Sequence, residues 1–339
     1  MTKKPKLETV ASEAGVSVAT VSQVMRGTGR ISEKTRKKVL RVAQKLNYVK
    51  DGRAASMRSG ENKEIGLAIH HISNPFNAEV ISGASDLLED EGYLLSTLDA
   101  RDNATRQRRQ LEAFIRSSRG GLIWVPAQGT PKSTYDLLKT HGLPAVTFLR
   151  RPNVGLLDHV GIEDSDATAV ATNYLVSLGH RHIAFLGGIA SVAPRSERIA
   201  GYRSALIESG IKDSIVWDTE DNRHAGMDAM FELNKAHPEV TAVVCNGDMV
   251  ALGASLAILQ LDRVPGRDIS VIGFDDIEEA AISMPRLTTM AVCPYQLGRK
   301  LARVMLDRIQ DPGLPKTVTL VPATLKIRES TGTLKAYNT

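Results

Sequence analysis

The sequence predicts an N-terminal all-α helix-turn-helix head plus an α/β core of two doubly wound parallel-sheet subdomains. Three observations carry this. Residues 7–26 read as two short amphipathic helices joined by a glycine turn. The first sixty residues are strongly basic and the remainder is acidic. From residue 65 onward, apolar strand-like runs alternate with helical patterns, as in parallel sheets covered on both faces.

In the head, Leu7, Val10, Ala11 and Ala14 recur at helical spacing and give the first helix one apolar face. Gly15 can take the left-handed conformation that ends a helix. Val16 plugs the turn. Ser17 caps the next helix, accepting from backbone N–H groups two or three residues on. Val21 and Val24 then face inward, while Val18, Ala19, Ser22 and Gln23 point outward. Ser32 caps a third helix that runs over Thr35 to Leu46. Its expected buried stripe is Val39, Leu40, Val42, Ala43 and Leu46. Residues 47–62 connect to the core. Within them Ala54-Ala55-Ser56-Met57-Arg58 can form a turn or two of helix, too short to be ordered without a partner.

Two amphipathic helices around a glycine are common, and charge is what turns this pair toward DNA. The chain carries +5 overall. Residues 1–60 hold 14 Lys/Arg against 4 Asp/Glu, and residues 61–339 hold 29 against 34. A basic head on an acidic body localises phosphate binding to one end.

The core strands are expected at Ile65–His70, Tyr93–Leu98, Gly121–Val125, Ala145–Leu149, His159–Ile162 and His182–Gly187. Further strands are expected at Ile215–Asp218, Ala242–Asn246, Ser270–Phe274, Thr288–Val292 and Val318–Pro322. Helices are expected at about 77–91, 103–118, 131–141, 166–179, 195–209, 223–236, 248–262 and 295–311. So many strands exceed one compact sheet and point to two similar subdomains. Cys245 and Cys293, the two cysteines, lack metal or redox spacing, which points to a reducing cytoplasm. No apolar leader and no run of about 18 apolar residues is present, so neither export nor a membrane span is expected.

In doubly wound sheets, ligands bind beyond the C-terminal ends of strands. That directs attention to a pocket between the subdomains. Asp275-Asp276 with Glu278-Glu279 is the densest acidic cluster, but its spacing fits no metal loop. Asp275, at a strand end, is placed to accept from hydroxyls. Gly187-Gly188 lacks the glycine spacing and Lys-Ser/Thr pair of a nucleotide site. Phe76 follows Asn74-Pro75 in a loop, leaving pocket and core readings balanced. Trp124 reads as core, and His70 and His71 as satisfied structural histidines. No nucleophile–base set converges by spacing, so no enzyme, cofactor or metal site is expected.

The ordered motifs resemble the LacI/GalR (lactose/galactose-repressor) family of bacterial transcription regulators. They run from Thr9-Val10-Ala11 through Gly15-Val16-Ser17 and Thr20-Val21-Ser22 to Val39–Tyr48. In the body they include Asn74-Pro75-Phe76, Leu178-Gly179-His180-Arg181-His182-Ile183-Ala184, Arg198-Ile199-Ala200-Gly201-Tyr202 and Val271-Ile272-Gly273-Phe274-Asp275-Asp276. The resemblance implies a DNA-binding domain over 1–50 and a hinge helix and linker over 51–62. It implies a periplasmic-binding-protein-like core with an N-subdomain of 63–164 with 295–326 and a C-subdomain of 165–294 with 327–339.

Carried over by position, Val18, Ala19 and Gln23 fall where family members read operator bases, with Ser17, Thr20, Ser22, Arg30 and Tyr48 around them. Val18 and Ala19 offer only apolar contact, and Gln23 can pair with adenine. The hinge helix contributes Ala54, Met57 and Arg58, with Met57 as a minor-groove wedge. Tyr48-Val49-Lys50-Asp51 lacks the proline usual after the tyrosine. The implied effector residues are Phe76, Asn77, Arg150, Asp166, Arg198, Asp248 and Asp275. Arg195 adds charge, and Asp221 stands where many members carry an aromatic. Val292-Cys293 replaces a common Gln-Pro.

These positions imply a cytoplasmic regulator, a repressor on the nucleoid when bound to pseudo-palindromic operator DNA, whose affinity a sugar or sugar derivative modulates. The three arginines favour an acidic ligand over a neutral disaccharide. A homodimer is expected, since the heptad tail of tetrameric members does not follow Ser330. The rival readings are a regulator controlled by a protein partner and a non-exported sugar-binding protein.

Overall fold

A computed structural model describes residues 4–49, 62–117, 119–152, 157–190 and 192–334. The chain divides into two units, Met1–Asn62 and Lys63–Thr339.

The head holds α1 (Leu7–Ala14), α2 (Val18–Arg26) and α3 (Glu33–Lys45). Gly15 takes φ +60°, and its N–H donates to the last carbonyls of α1. Ser17 Oγ accepts from Thr20 N at 3.1 Å and starts α2, and Ser32 Oγ does the same for α3 through Thr35 N at 3.3 Å. Val10, Ala11, Ala14, Val21, Val24, Val39 and Ala43 are buried together. Small alanines on α1 let the helices cross closely. One expectation fails here: Leu40 is 45% exposed, because Val39 and Ala43 alone complete the inward row of α3.

The core begins with β1 (Glu64–Ile69), α4 (Pro75–Asp90), β2 (Leu94–Asp99), α5 (Ala104–Arg116), β3 (Gly121–Trp124) and α6 (Lys132–Thr140). It continues through β4 (Ala145–Phe148), β5 (Asp158–Ile162), α7 (Asp164–Ser177), β6 (Ile183–Leu186), α8 (Ala193–Glu208) and β7 (Ile215–Trp217). Then follow α9 (Arg223–Ala236), β8 (Ala242–Cys245), α10 (Asp248–Gln260), β9 (Ser270–Asp275), α11 (Glu278–Ile282) and β10 (Thr288–Ala291). The last elements are α12 (Pro294–Gln310), β11 (Val318–Val321) and β12 (Thr324–Lys326).

Two six-stranded sheets result, ordered β11-β5-β4-β3-β1-β2 and β12-β10-β9-β8-β6-β7. Every pairing is parallel except β12 on β10. The central strands β1, β3, β4, β6 and β8 are apolar and buried, as parallel strands between helix layers must be. The chain passes between sheets after β5, after β10 and between β11 and β12. Neither β12 nor α11 is anticipated from sequence. Thr324-Leu325-Lys326 is too short and too polar to read as a strand, and α11 spans five residues.

Close helix crossings need glycine. α4 packs on α12 so tightly that a Cβ at Gly298 would overlap the Val80 carbonyl oxygen, and one at Gly83 would overlap that of Tyr295. Backbone cannot yield as a side-chain tip can. Gly298→Ala is therefore expected to destabilise the core by roughly 1–3 kcal/mol, as overpacking does. Urea unfolding of the two proteins checks this, and equal midpoints would show the crossing to be loose.

Candidate functional site

The C-terminal ends of β1, β2, β4, β6, β8 and β9 meet around one cavity of about 550 Å³. Asparagines cap two of the helices that begin at its rim. Asn74 Oδ1 accepts from Phe76 N at 3.0 Å, and Asn222 Oδ1 from Ala225 N at 2.9 Å. Each cap satisfies a helix N–H that the turn leaves open.

Three arginines hold the wall. Arg150, after β4, pairs with Asp102 (Nη2 to Oδ2 3.0 Å) and donates to Pro126 O. Arg195 donates to Gly187 O at 2.8 Å and pairs with Asp218. Arg198, 7% exposed, donates through Nε to Asp164 Oδ1 at 2.6 Å and through Nη1 to Asn246 O. Its guanidinium carbon lies 3.6 Å from the centroid of the Phe274 ring. Burial, Arg150 and His71 together push the His70 imidazole down to about 3, so it is neutral.

Two wall carboxylates behave differently. Asp275, 9% exposed and at φ +118°, accepts no side-chain hydrogen bond among the described residues. Burial raises its carboxyl well above the usual range despite Arg198, and Asp248, Asp221 and Asp164 push the same way. Asp221 is hemmed in by protein on its flanks while its surface opens into the cavity. Burial raises it too, opposed by a 2.8 Å bond from Asn246 Nδ2 and by Arg198.

Of the nine implied effector residues, Phe76, Arg150, Arg195, Arg198, Asp221 and Asp275 line the cavity. Three do not. Asp166 is exposed on α7, and the buried acid that serves Arg198 is Asp164, two residues earlier. Asn77 is fully buried behind the wall, donating to His71 O at 2.7 Å. Asp248 is fully buried beneath β9, where Thr289 Oγ1 (2.6 Å) and Ile277 N (2.9 Å) donate to it. Burial lifts its carboxyl to about 7. His70 and His71, expected to be structural, stand on the wall. His70 Nδ1 is buried without a partner. The wall residues Asp102 and Asn246 escape the sequence reading, although Asn246 directly follows β8 and Asp102 lies three residues past β2. Their position at strand ends is the signal that marks them.

On the head, Val18 (41% exposed) and Ala19 stand out from the start of α2. Ser17 and Thr20 bond each other at the cap. Ser22 and Gln23 are half-buried, and the Gln23 amide lies against Gly29. Arg30 is exposed in the turn before α3, and Tyr48 packs on the head core. Lys34, Lys37, Lys38, Arg41 and Lys45 put their charge on the outer surface of α3. Ala54, Met57 and Arg58 lie outside the described residues. Among the described residues no group of His, Cys, Asp and Glu could hold a metal ion, and no helix is long and apolar enough to cross a membrane.

Residues 6–51 match the model for bacterial regulatory proteins of the lacI family, and residues 172–331 match a periplasmic binding protein-like domain. The HTH-type transcriptional repressor PurR of Photobacterium profundum is 31% identical over 328 residues, 96% of this chain and 98% of that protein. The chain belongs to the LacI family. It is a DNA-binding transcription regulator of that family and not an enzyme. The solved lac repressor dimer, bound to operator and the anti-inducer ONPF, is similar over 97% of this chain and 100% of that one, at 25% identity and TM-score 0.84. The complex of the transcriptional regulator CelR with cellobiose is similar over 96% and 99%, at 27% identity and TM-score 0.74.

The Arg198 contacts make it a support of the wall as well as a lining residue. Removing it leaves Asp164 buried and unpaired, so Arg198→Ala is expected to lose about 3–5 kcal/mol of core stability. Urea unfolding at neutral pH measures the loss. A change below about 1 kcal/mol would show that Asp164 finds another partner or a proton without penalty.

Proposed function

We propose that this LacI-family chain is a repressor whose operator affinity is modulated by a hydroxylated metabolite held in the core cavity. The observation that carries the reading is the cavity itself. It lies at the C-terminal ends of strands from both sheets, with hydrogen-bonding groups from each sheet on its wall. A ligand there touches both sheets and favours whichever mutual arrangement suits it. It moves that equilibrium only by its differential affinity, typically about 1–3 kcal/mol of coupling. The cellobiose bound by CelR supports a sugar-class effector.

The acidic ligand expected from the arginines is not retained. Asp102, Asp218 and Asp164 already neutralise Arg150, Arg195 and Arg198. The division expected from the sequence is kept: a DNA-binding domain over 1–50, a hinge over 51–62, and two core subdomains. The protein works in the cytoplasm, on the nucleoid, as a homodimer. The lac repressor dimer on operator supports this assembly. A two-fold dimer reads a pseudo-palindrome, since protein symmetry is imposed on the site.

Gln23→Ala is expected to relax specificity at one position per half-site, at about 1–3 kcal/mol for each lost bidentate pair. Half-site variants titrated against both proteins check it. Identical profiles would remove Gln23 from the reading set. For the effector, operator affinity measured across a sugar panel should shift about 5–150-fold with the cognate compound. A panel that binds the core and leaves operator affinity unmoved would favour control by a protein partner.

A further inference from the structure

We propose that the ligand of the core cavity is an amino sugar, a polyhydroxyl compound whose ammonium group lies between Asp221 and Asp275. This rests on reading the cavity as an effector site and adds the chemical class of its occupant.

Four arginines line the cavity, and each has a carboxylate of its own. Arg101 faces Asp99 (3.6 Å), Arg150 faces Asp102, Arg195 faces Asp218, and Arg198 faces Asp164. No arginine charge is left over for an anionic ligand. Among the described residues, Asp221 and Asp275 remain on the same wall without a cation bonded to them. Asp275 is nine-tenths buried, and no protein donor reaches its carboxylate among the described residues. Asp221 holds one neutral donor, Asn246 Nδ2. The Oδ1 of that same asparagine is a buried acceptor with no donor. Glu220, also on the wall, adds a third negative group.

A buried carboxylate with no countercharge is costly, and it lowers that cost by holding a proton. Burial and the neighbours Asp248, Asp221 and Asp164 push Asp275 that way, and Arg198 opposes them. A sugar hydroxyl supplies a hydrogen bond but no charge. An ammonium supplies both, with three donors for acceptors clustered on one wall. The arginine N–H groups not used in ion pairs remain as donors to hydroxyls, which keeps the ligand polyhydroxyl.

The sign of the pH dependence follows. Burial raises both carboxyls, so in the empty cavity they give up their protons at a higher pH than ordinary carboxylates do. An ammonium must displace such a proton to pair with the anion. Amine affinity therefore rises with pH, by up to about tenfold per unit for each proton displaced, across the range in which the carboxyls titrate and the amine stays cationic. A neutral hexose, which brings hydrogen bonds but no charge, shows a weaker slope.

The test is calorimetric titration of the full chain with glucosamine, galactosamine and mannosamine, their parent hexoses and the matching uronic acids. One amine is expected to bind at least about tenfold more tightly than its parent and its uronic acid, the ratio a single added charge pair of ordinary strength supports. Its preference over the parent should grow with pH for as long as the amine stays cationic. Asp221→Asn keeps an acceptor for Asn246 and should cut that preference to below about threefold. Should the variant fold poorly, the pH series on the unaltered protein still decides. A parent hexose or uronic acid binding as well as the amine, a flat preference across pH, or binding by none of the amines overturns the proposal. Operator affinity measured with the same compounds separates the two readings. A neutral sugar that binds and shifts it leaves the effector reading intact while this one falls. An amine that binds without shifting it does the reverse.

Discussion

Arg198 carries a charge into a wall that excludes water, and the cavity depends on how that charge is held. Its Nε reaches Asp164 at the start of α7, its Nη1 reaches the carbonyl of Asn246 after β8, and its plane lies on Phe274 of β9. Three elements distant in sequence are thereby tied at one guanidinium. A planar fork with five donors can do this, and a lysine ammonium cannot do it in the same geometry. Asp164 is kept in the interior by the same contact, since burial alone drives it toward its protonated form. Asn246 then passes the order on, its side-chain amide reaching Asp221 across the rim.

From that pairing the character of the site follows. The arginines that advertise positive charge in the sequence are bonded to carboxylates. The carboxylates Asp221 and Asp275 are the ones left facing the cavity. Polar groups satisfied within the protein fix the shape of the wall, and those unsatisfied define what a ligand must bring. Asp248 shows the same logic one layer down. It is spent on Thr289 and Ile277 beneath β9 and acts on the cavity only through its field. Backbone conformation contributes as well. Asp275 holds φ +118° and Asp276 φ +62°, a local strain of the kind that persists where surrounding structure over-determines it.

The head follows a simpler physics. Its small core is closed by alanines and valines, its helices start at serine caps, and its turn is a left-handed glycine. Nothing in it requires a distant partner. That is why Val18 and Ala19 stand exposed as the helical period of residues 7–26 implies. Leu40 departs because a third helix on a core this small buries one narrow row, and the leucine lies one step outside it.

Local patterns by themselves determined the three head helices, eleven of the twelve strands and the eight long helices of the core, since periodicity, caps and apolar runs are local properties. They also determined which strand ends bear polar residues, and six of the nine implied effector residues do line the cavity. Position in sequence could not separate Asp164 from Asp166, two acids in the first turn of one helix, because which of them turns inward depends on Arg198 arriving from α8. Nor could it show that Arg150 and Arg195 are neutralised, since Asp102 lies 48 residues from the first and Asp218 lies 23 from the second. β12 exists only because β10 offers it an edge. Charge and edge pairing are settled by neighbours far along the chain, so the tertiary structure alone decided whether the cavity is basic or acidic.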